Sequence, residues 1–182
     1  VVPNAPGSSI DIMTRTLAAR MGDALGQPLV VENRDGAAGL IGMEQGKNAK
    51  PDGYNLTSAA NGAMLISPLL RKNPPYDPLA DFTHIHLVGT FPSVLAVNAG
   101  SPITDIRQLV EVAKAKPGEI NYGSGGNGTM NHLTGQLFAR AAGIQFTHVP
   151  YRGSAPAMND LMGGQIVALM ESLPTAIGYF TS

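Results

Sequence analysis

Two stretches of this chain carry residues suited to holding a small anion, and both are built on glycine and serine. The first is Pro3-Asn4-Ala5-Pro6-Gly7-Ser8-Ser9, which leads into an apolar-periodic run. Free N–H groups and the helix dipole make the start of a helix a ready place for a carboxylate. The Ser8 and Ser9 hydroxyls would add donors, with Pro6 and Gly7 shaping the approach. Ser8 and Asp11 also stand in the S-x-x-D spacing of a capping box, so the same residues serve equally to close a helix start. Both readings stand for Pro6, Gly7, Ser8, Ser9 and Asp11.

The second stretch is Gly123-Ser124-Gly125-Gly126-Asn127-Gly128-Thr129, with His132 three residues on. Gly125 and Gly126 allow close approach to the backbone, and Ser124, Asn127 and Thr129 offer polar contacts. His132 reads as a polar residue at a helix start, lining a cleft or donating to a loop carbonyl. Tyr151, at the end of the next strand, offers a ring face or a hydroxyl. Asn61 belongs to the loops of the first half and suits a ligand contact or a turn.

Two enzymatic readings compete for the second stretch. Gly123, Gly125 and Gly128 satisfy G-x-G-x-x-G, so the alternative is an NADP-binding oxidoreductase domain on the Gly123–Gly128 loop. The dinucleotide fingerprint wants an acidic residue about 20 positions on. The next strand instead runs into Pro150-Tyr151-Arg152-Gly153, where Arg152 suits a 2′-phosphate or simply a surface turn. A serine nucleophile would need G-x-S-x-G, and Tyr122 stands where its first glycine belongs. A Ser124–His132 pair is conceivable, but no third orienting group is evident.

The remaining titratable residues fit blander roles. His84 and His86 share one face of a predicted strand but find no third ligand at a recognisable spacing, so no metal is expected. His148 reads as a satisfied core or sheet residue, and Glu111 and Glu119 as solvated carboxylates. No catalytic residue and no cofactor is assigned.

Regular elements must position these loops. Ile10, Met13, Leu17, Met21 and Leu25 mark one helix face, which Gly26 ends. Strands are predicted at Leu29–Val31, Tyr54–Ser58, Ile85–Val88, Val94–Val97, Glu119–Tyr122, Phe146–Val149 and Ile166–Met170. Helices are predicted at Ala37–Asn48, Asp105–Ala115 with Thr104 as a cap, Met130–Ala142 and Ala155–Met162, and a helical pattern starts at Pro174. Gly39, Gly42 and Gly46 weaken the Ala37 helix while permitting close packing. This alternation with short turns argues for an α/β chain around mainly parallel sheets. The division falls at a small-residue crossing, giving lobes 1–98 and 99–182.

Composition narrows the function classes. Net charge is -1 and the cations are scattered, which is no footprint for nucleic acid. No apolar run approaches the roughly 20 residues that a membrane helix needs. The chain has no cysteine, which removes disulfides and thiolate chemistry.

The motifs form a collinear set that resembles the substrate-binding proteins of tripartite tricarboxylate transporters, the Bug (TctC-like) family. They are Val1-Val2-Pro3 with the Gly7–Asp11 loop, Val31-Glu32-Asn33-Arg34, Gly36-Ala37-Ala38-Gly39, Pro51-Asp52-Gly53-Tyr54, and Tyr76-Asp77-Pro78. They continue with Asn121–Gly128, His132-Leu133 and His148–Gly153.

The resemblance implies an exported, periplasmic protein of the type II periplasmic-binding-like α/β fold. Its two lobes would close on a carboxylate and deliver it to the membrane subunits of a tripartite tricarboxylate-type transporter. Carried over, the ligand loops are Pro6–Asp11 and Ser124–Thr129, with His132 nearby. The ligand would be a di- or tricarboxylate, an aromatic carboxylate or an amino acid, and the protein a monomer. The resemblance also implies an earlier first strand and a C-terminal section completing the first lobe. Gly7-Ser8-Ser9 departs from the family's usual glycine pair, and Glu171 stands where Asp is common.

Overall fold

A computed structural model describes residues 1–180. The chain forms two compact units, Val1–Phe91 and Pro92–Ser182, each treated by itself below.

In the first unit, α1 spans Ser9–Leu25. It starts where Ser8, in extended backbone, accepts the Asp11 N–H, and it stops where Gly26 takes the left-handed conformation. A 3₁₀ turn over Ala37–Gly39 precedes α2, Leu40–Asn48. A π-helical turn over Gly62–Ile66 runs into the short α3, Ser67–Leu69. Leu40, Met43, Ala63 and Tyr76 form the buried centre, with Met64 and Phe82 against it. The expected close packing at the α2 glycines is present. A Cβ on Gly42 would lie 2.6 Å from both Pro3 Cα and the Arg34 carbonyl, and one on Gly46 would lie 2.2 Å from Thr57 Oγ1.

The predicted strands Leu29–Val31, Tyr54–Ser58 and Ile85–Val88 do not form as strands. The first unit instead has one parallel bridge, Val2 with Asn33, held by Val2 N–H to Glu32 O and Arg34 N–H to Val2 O, both at 2.8 Å. A β-branched run states which side chains suit a sheet, but a strand also needs a neighbour for its N–H and C=O groups. Among the described residues Leu29–Val31 and Ile85–Val88 form no such ladder, and Tyr54–Ser58 pairs only with Val1, whose amino group donates to Leu56 O at 2.6 Å and whose carbonyl accepts the Ser58 N–H at 3.0 Å. Val30, Ile85 and Leu87 are correspondingly exposed.

The second unit meets its predictions more closely. It comprises β1 (Ser93–Val97), α4 (Ile106–Ala115), β2 (Asn121–Ser124), α5 (Met130–Ala142), β3 (Thr147–Pro150), α6 (Ser154–Met162), β4 (Ala168–Ser172) and α7 (Leu173–Phe180). The four strands lie in the order β1-β4-β2-β3. β2 is parallel to β3 and β4, whereas β1 runs antiparallel to β4. The expectation of parallel pairing thus holds for the three strands joined by helical crossovers. The segment predicted as a strand at Val94–Val97 lies in this sheet, although the division at residue 98 grouped it with the first lobe.

The α4 cap is Asp105 rather than Thr104. Its carboxylate accepts from the Arg107 and Gln108 N–H groups, while Thr104 pairs with the Gln108 side chain. Two apolar layers flank the sheet. Met158, Leu161, Ile166, Leu169 and Ala176 make one, and Leu109, Ile120, Ala139 and Ile144 anchor the other. Tyr122, fully buried, joins Ala168, Met170 and the half-buried Phe138 and Phe146. This packing sets the ends of β2 and β3 beside the start of α5.

Candidate functional site: two helix-opening loops

The first loop is organised by Asp11. Its side chain is only 4% exposed. The carboxylate accepts the Gly7 N–H at 2.9 Å, Arg15 Nε at 3.0 Å and Asn33 Nδ2 at 2.9 Å. Burial pushes the carboxyl up, but these donors together outweigh it and hold its pKa below the ordinary value. The S-x-x-D pattern thus works as a cap with one change. Ser8 Oγ accepts the Asp11 N–H at 3.3 Å, and Asp11 reaches back to Gly7 rather than to Ser8.

Gly7 makes this possible with φ 79°, a left-handed conformation that favours glycine. Pro6 and Gly7 are exposed, Ser8 is half-buried and Ser9 is buried. Asp11 therefore shapes the loop from within, and Pro6 and Gly7 form its exposed edge. Asn61 is exposed just before the π-helical turn and makes no side-chain cap. No hydrogen bond joins it to the α1 loop among the described residues.

The second loop is more tightly wired. Ser124, at the end of β2, is fully buried. Its Oγ lies 2.7 Å from His148 Nε2 and accepts the Gly126 N–H at 3.2 Å. Thr129 Oγ1 donates to Gly126 O at 2.8 Å and accepts the His132 N–H at 3.3 Å, capping α5. His132 Nδ1 accepts the Gly128 N–H at 3.2 Å. Gly126 and Gly128 take φ of 129° and 81°. Asn127 is exposed at the tip, while Gly125 and Gly126 are half-buried. Met130 and Asn131 open α5, so no carbonyl one turn back receives their N–H groups within the helix.

Tyr151 is brought to the same edge, its N–H donating to Ser124 O at 3.0 Å. Its hydroxyl is occupied, donating to Asp160 Oδ2 at 2.6 Å. Burial and Asp160 push that hydroxyl's pKa up to about 12. Its ring packs on the core and faces Gly123, so what Tyr151 offers is a wall. Arg152 is exposed on the turn that follows.

Sequence reasoning missed the true partner of Ser124. The sequence suggests His148 as a sheet histidine and His132 as the conceivable mate of Ser124. In the structure His148 bonds Ser124, and the His132 ring stacks on His148 with centroids 4.2 Å apart. Parallel pairing of β2 with β3 sets Tyr122 opposite His148, two residues before Ser124 and on the same face of the sheet. That register joins residues far apart in sequence, and no local pattern signals it. Burial lowers the pKa of both rings, and His132 lowers that of His148 further, to about 4.

Glu171, which stands where the family commonly has Asp, lies beside this loop. It is 2% exposed, and its Oε1 accepts from Asn131 Nδ2 at 2.9 Å and from the Ser172 N–H at 2.7 Å. Elsewhere, His84 Nε2 donates to Pro78 O, and no cluster able to hold a metal ion occurs among the described residues. No described helix is long and apolar enough to cross a membrane.

Comparison with known proteins gives these loops a family. Residues 13–182 match the family model described as the tripartite tricarboxylate transporter family receptor. Protein BugT of Bordetella pertussis is 37% identical over 183 aligned residues, covering 100% of this chain and 56% of its own length. Among solved structures, Rpa4515 of R. palustris with adipate superposes at a TM-score of 0.94 with 31% identity, covering 99% of this chain and 60% of that one. MatC of Rhodopseudomonas palustris with bound malate superposes at 0.88 with 27% identity, covering 99% and 62%.

The fold is therefore the periplasmic-binding-protein-like α/β type with two lobes. The chain spans about half the length of the curated relatives it matches. The dinucleotide reading of the glycine loop gives way to this assignment. The chain belongs to the tripartite tricarboxylate transporter receptor (TctC/Bug) family, a family of solute-binding proteins and not of enzymes.

Proposed function

We propose that this protein is a periplasmic receptor that captures a small carboxylate in a cleft between its two lobes and delivers it to the membrane subunits of a tripartite transporter. The observation that carries the reading is the glycine loop. It opens α5 with two N–H groups unclaimed within the helix, in a chain whose relatives include proteins solved with adipate and malate. A carboxylate placed there meets the positive end of the helix dipole and needs no arginine. The ligand contacts in this reading are Pro6, Gly7, Ser8 and Ser9 from the first loop and Gly125, Gly126, Asn127 and Thr129 from the second. Asn61, His132 and the Tyr151 ring complete the set. Asp11 and Ser124 shape the two loops from within.

Isothermal titration of the chain with malate, adipate and NADPH at neutral pH tests this. Saturable binding of a dicarboxylate and none of NADPH is expected. Binding of NADPH with no response to malate, adipate or citrate overturns the proposal.

A further inference from the structure

The second loop is pinned at two glycine amides, and both pins are held by one pair of stacked imidazoles. Ser124 Oγ receives the Gly126 N–H, and His132 Nδ1 receives the Gly128 N–H. These bonds assign the protons. Gly126 O already accepts from Thr129 Oγ1 at 2.8 Å and from the Thr129 N–H at 3.3 Å. The Ser124 hydroxyl therefore donates to His148 Nε2, at 2.7 Å, rather than to Gly126 O at 3.3 Å. His148 then carries its own proton on Nδ1. His132, receiving at Nδ1, carries its proton on Nε2. The two neutral rings are in opposite tautomers, and each is an acceptor toward the loop.

Such a pin works only while the rings are neutral. A proton added to His148 Nε2 points an N–H at the Ser124 hydroxyl and forces that hydroxyl to turn. Its hydrogen would then face Gly126 O, which has two donors already. A proton added to His132 Nδ1 evicts the Gly128 N–H. Two charged rings stacked at 4.2 Å would also repel.

The groups facing the pair offer no compensation. Tyr122 from β2 lies 4.9 Å from His148 by ring centroids, and its hydroxyl is taken up with His132 O and Gln136. Glu171 from β4 bonds Asn131, the neighbour of His132, and neither ring. No carboxylate is hydrogen-bonded or ion-paired to either imidazole among the described residues.

We infer that His148 is a positioning residue for ligand capture, which acts through Ser124 and the stacked His132 to hold Gly126 and Gly128 in the form that receives the carboxylate. This rests on the carboxylate reading above for its consequence, but the loop geometry is measurable without any ligand. The low pKa of His148, about 4, fits the role, since the ring is neutral near pH 7.

The test combines nitrogen-15 spectra of the rings and glycine amides with malate titrations. Neutral His148 in the Nδ1–H form and His132 in the Nε2–H form are expected, with the Gly126 amide shifting in step with the His148 ring on acidification. His148→Ala should weaken malate binding at pH 7 about tenfold, the effect of losing one buried hydrogen bond. His148→Gln keeps an acceptor for Ser124. It should recover most of that affinity and abolish the acid shift of Gly126, while Gly128 still follows His132.

A Gly126 amide that ignores the His148 ring overturns the inference, as does H148A binding malate like the parent. If H148A does not fold, the parent titration and H148Q decide alone. If neither malate nor adipate binds the parent while Gly126 still follows the ring, the positioning role stands and the carboxylate reading falls.

Discussion

The Asp11 carboxylate receives the Gly7 N–H from four residues back, so the charge that ends the first loop also fixes its left-handed glycine. Arg15 and Asn33 complete the cage from one helical turn on and from the Val2–Asn33 bridge. Removing the carboxylate takes an acceptor from three donors at once, of which Asn33 Nδ2 keeps Asn4 O and Arg15 keeps Asn33 Oδ1. We expect Asp11→Ala to lower the free energy of unfolding by about 2 kcal/mol, read from the urea midpoint. The sign with pH follows from the depressed pKa. The contribution is complete above the ordinary value of 3.8 and is lost as pH falls through it toward the folded value. The gap between parent and D11A should therefore close in acid.

Gly135 faces the ring of Tyr122. A Cβ there would lie 2.3 Å from Tyr122 Cε2 and 2.7 Å from Cζ. Helix propensity alone favours alanine over glycine by about 1 kcal/mol. The ring has no room to yield, because Tyr122 is fully buried with its hydroxyl bonded to His132 O and Gln136. Overpacking should win, and Gly135→Ala should destabilise by roughly 1–3 kcal/mol in a thermal melt. A rise in melting temperature would show that propensity governs this position.

What was legible in the sequence follows from which forces are local. The α1 helix, with its glycine stop at Gly26, is written in side-chain spacing and its cap, and the bounds of α5 at Met130–Ala142 are legible as well. Strands β2, β3 and β4 were found within two residues because apolar runs between short turns have few other uses. Leu29–Val31 and Ile85–Val88 carry the same signal, yet a ladder depends on a neighbour that no local pattern names. The site divides likewise. The two loops were visible as glycine and serine clusters at helix starts. The Ser124–His148 bond was not, because it depends on the register of β2 against β3 across residues far apart in sequence. The sequence offers Asp11 and Tyr151 as ligand contacts, but only the structure shows their polar atoms spent on Gly7 and Asp160.

Thr129 joins the loop to the helix with one hydroxyl, donating to Gly126 O and accepting from the His132 N–H. Thr129→Ala removes both bonds, whereas Thr129→Ser keeps them. Loss of an N-cap costs about 1 kcal/mol. T129A should therefore lower stability by about that amount and loosen the loop, with T129S close to the parent. Amide hydrogen exchange at Gly126 and Gly128 is the discriminating measurement. Equal protection in T129A and the parent would mean that the glycines hold their turns without the hydroxyl.

Acid stability follows from the same imidazoles. The His148 pKa falls from 6.5 in the open chain to about 4 in the fold, by burial and by the neighbouring His132, while burial alone lowers His132. Between those values the unfolded chain binds a proton that the folded chain refuses, so stability falls as pH drops from 6.5 toward 4 and levels off below. Asp11 acts in a different window, beginning only near 3.8. The two can be told apart by substitution. His148→Gln removes one titrating ring and should make the pH dependence of the urea midpoint shallower between pH 6.5 and 4, leaving the loss below 3.8 in place. An unchanged slope across the upper window would mean that the ring titrates in the fold as it does in the open chain, and that Ser124 holds its bond in either charge state.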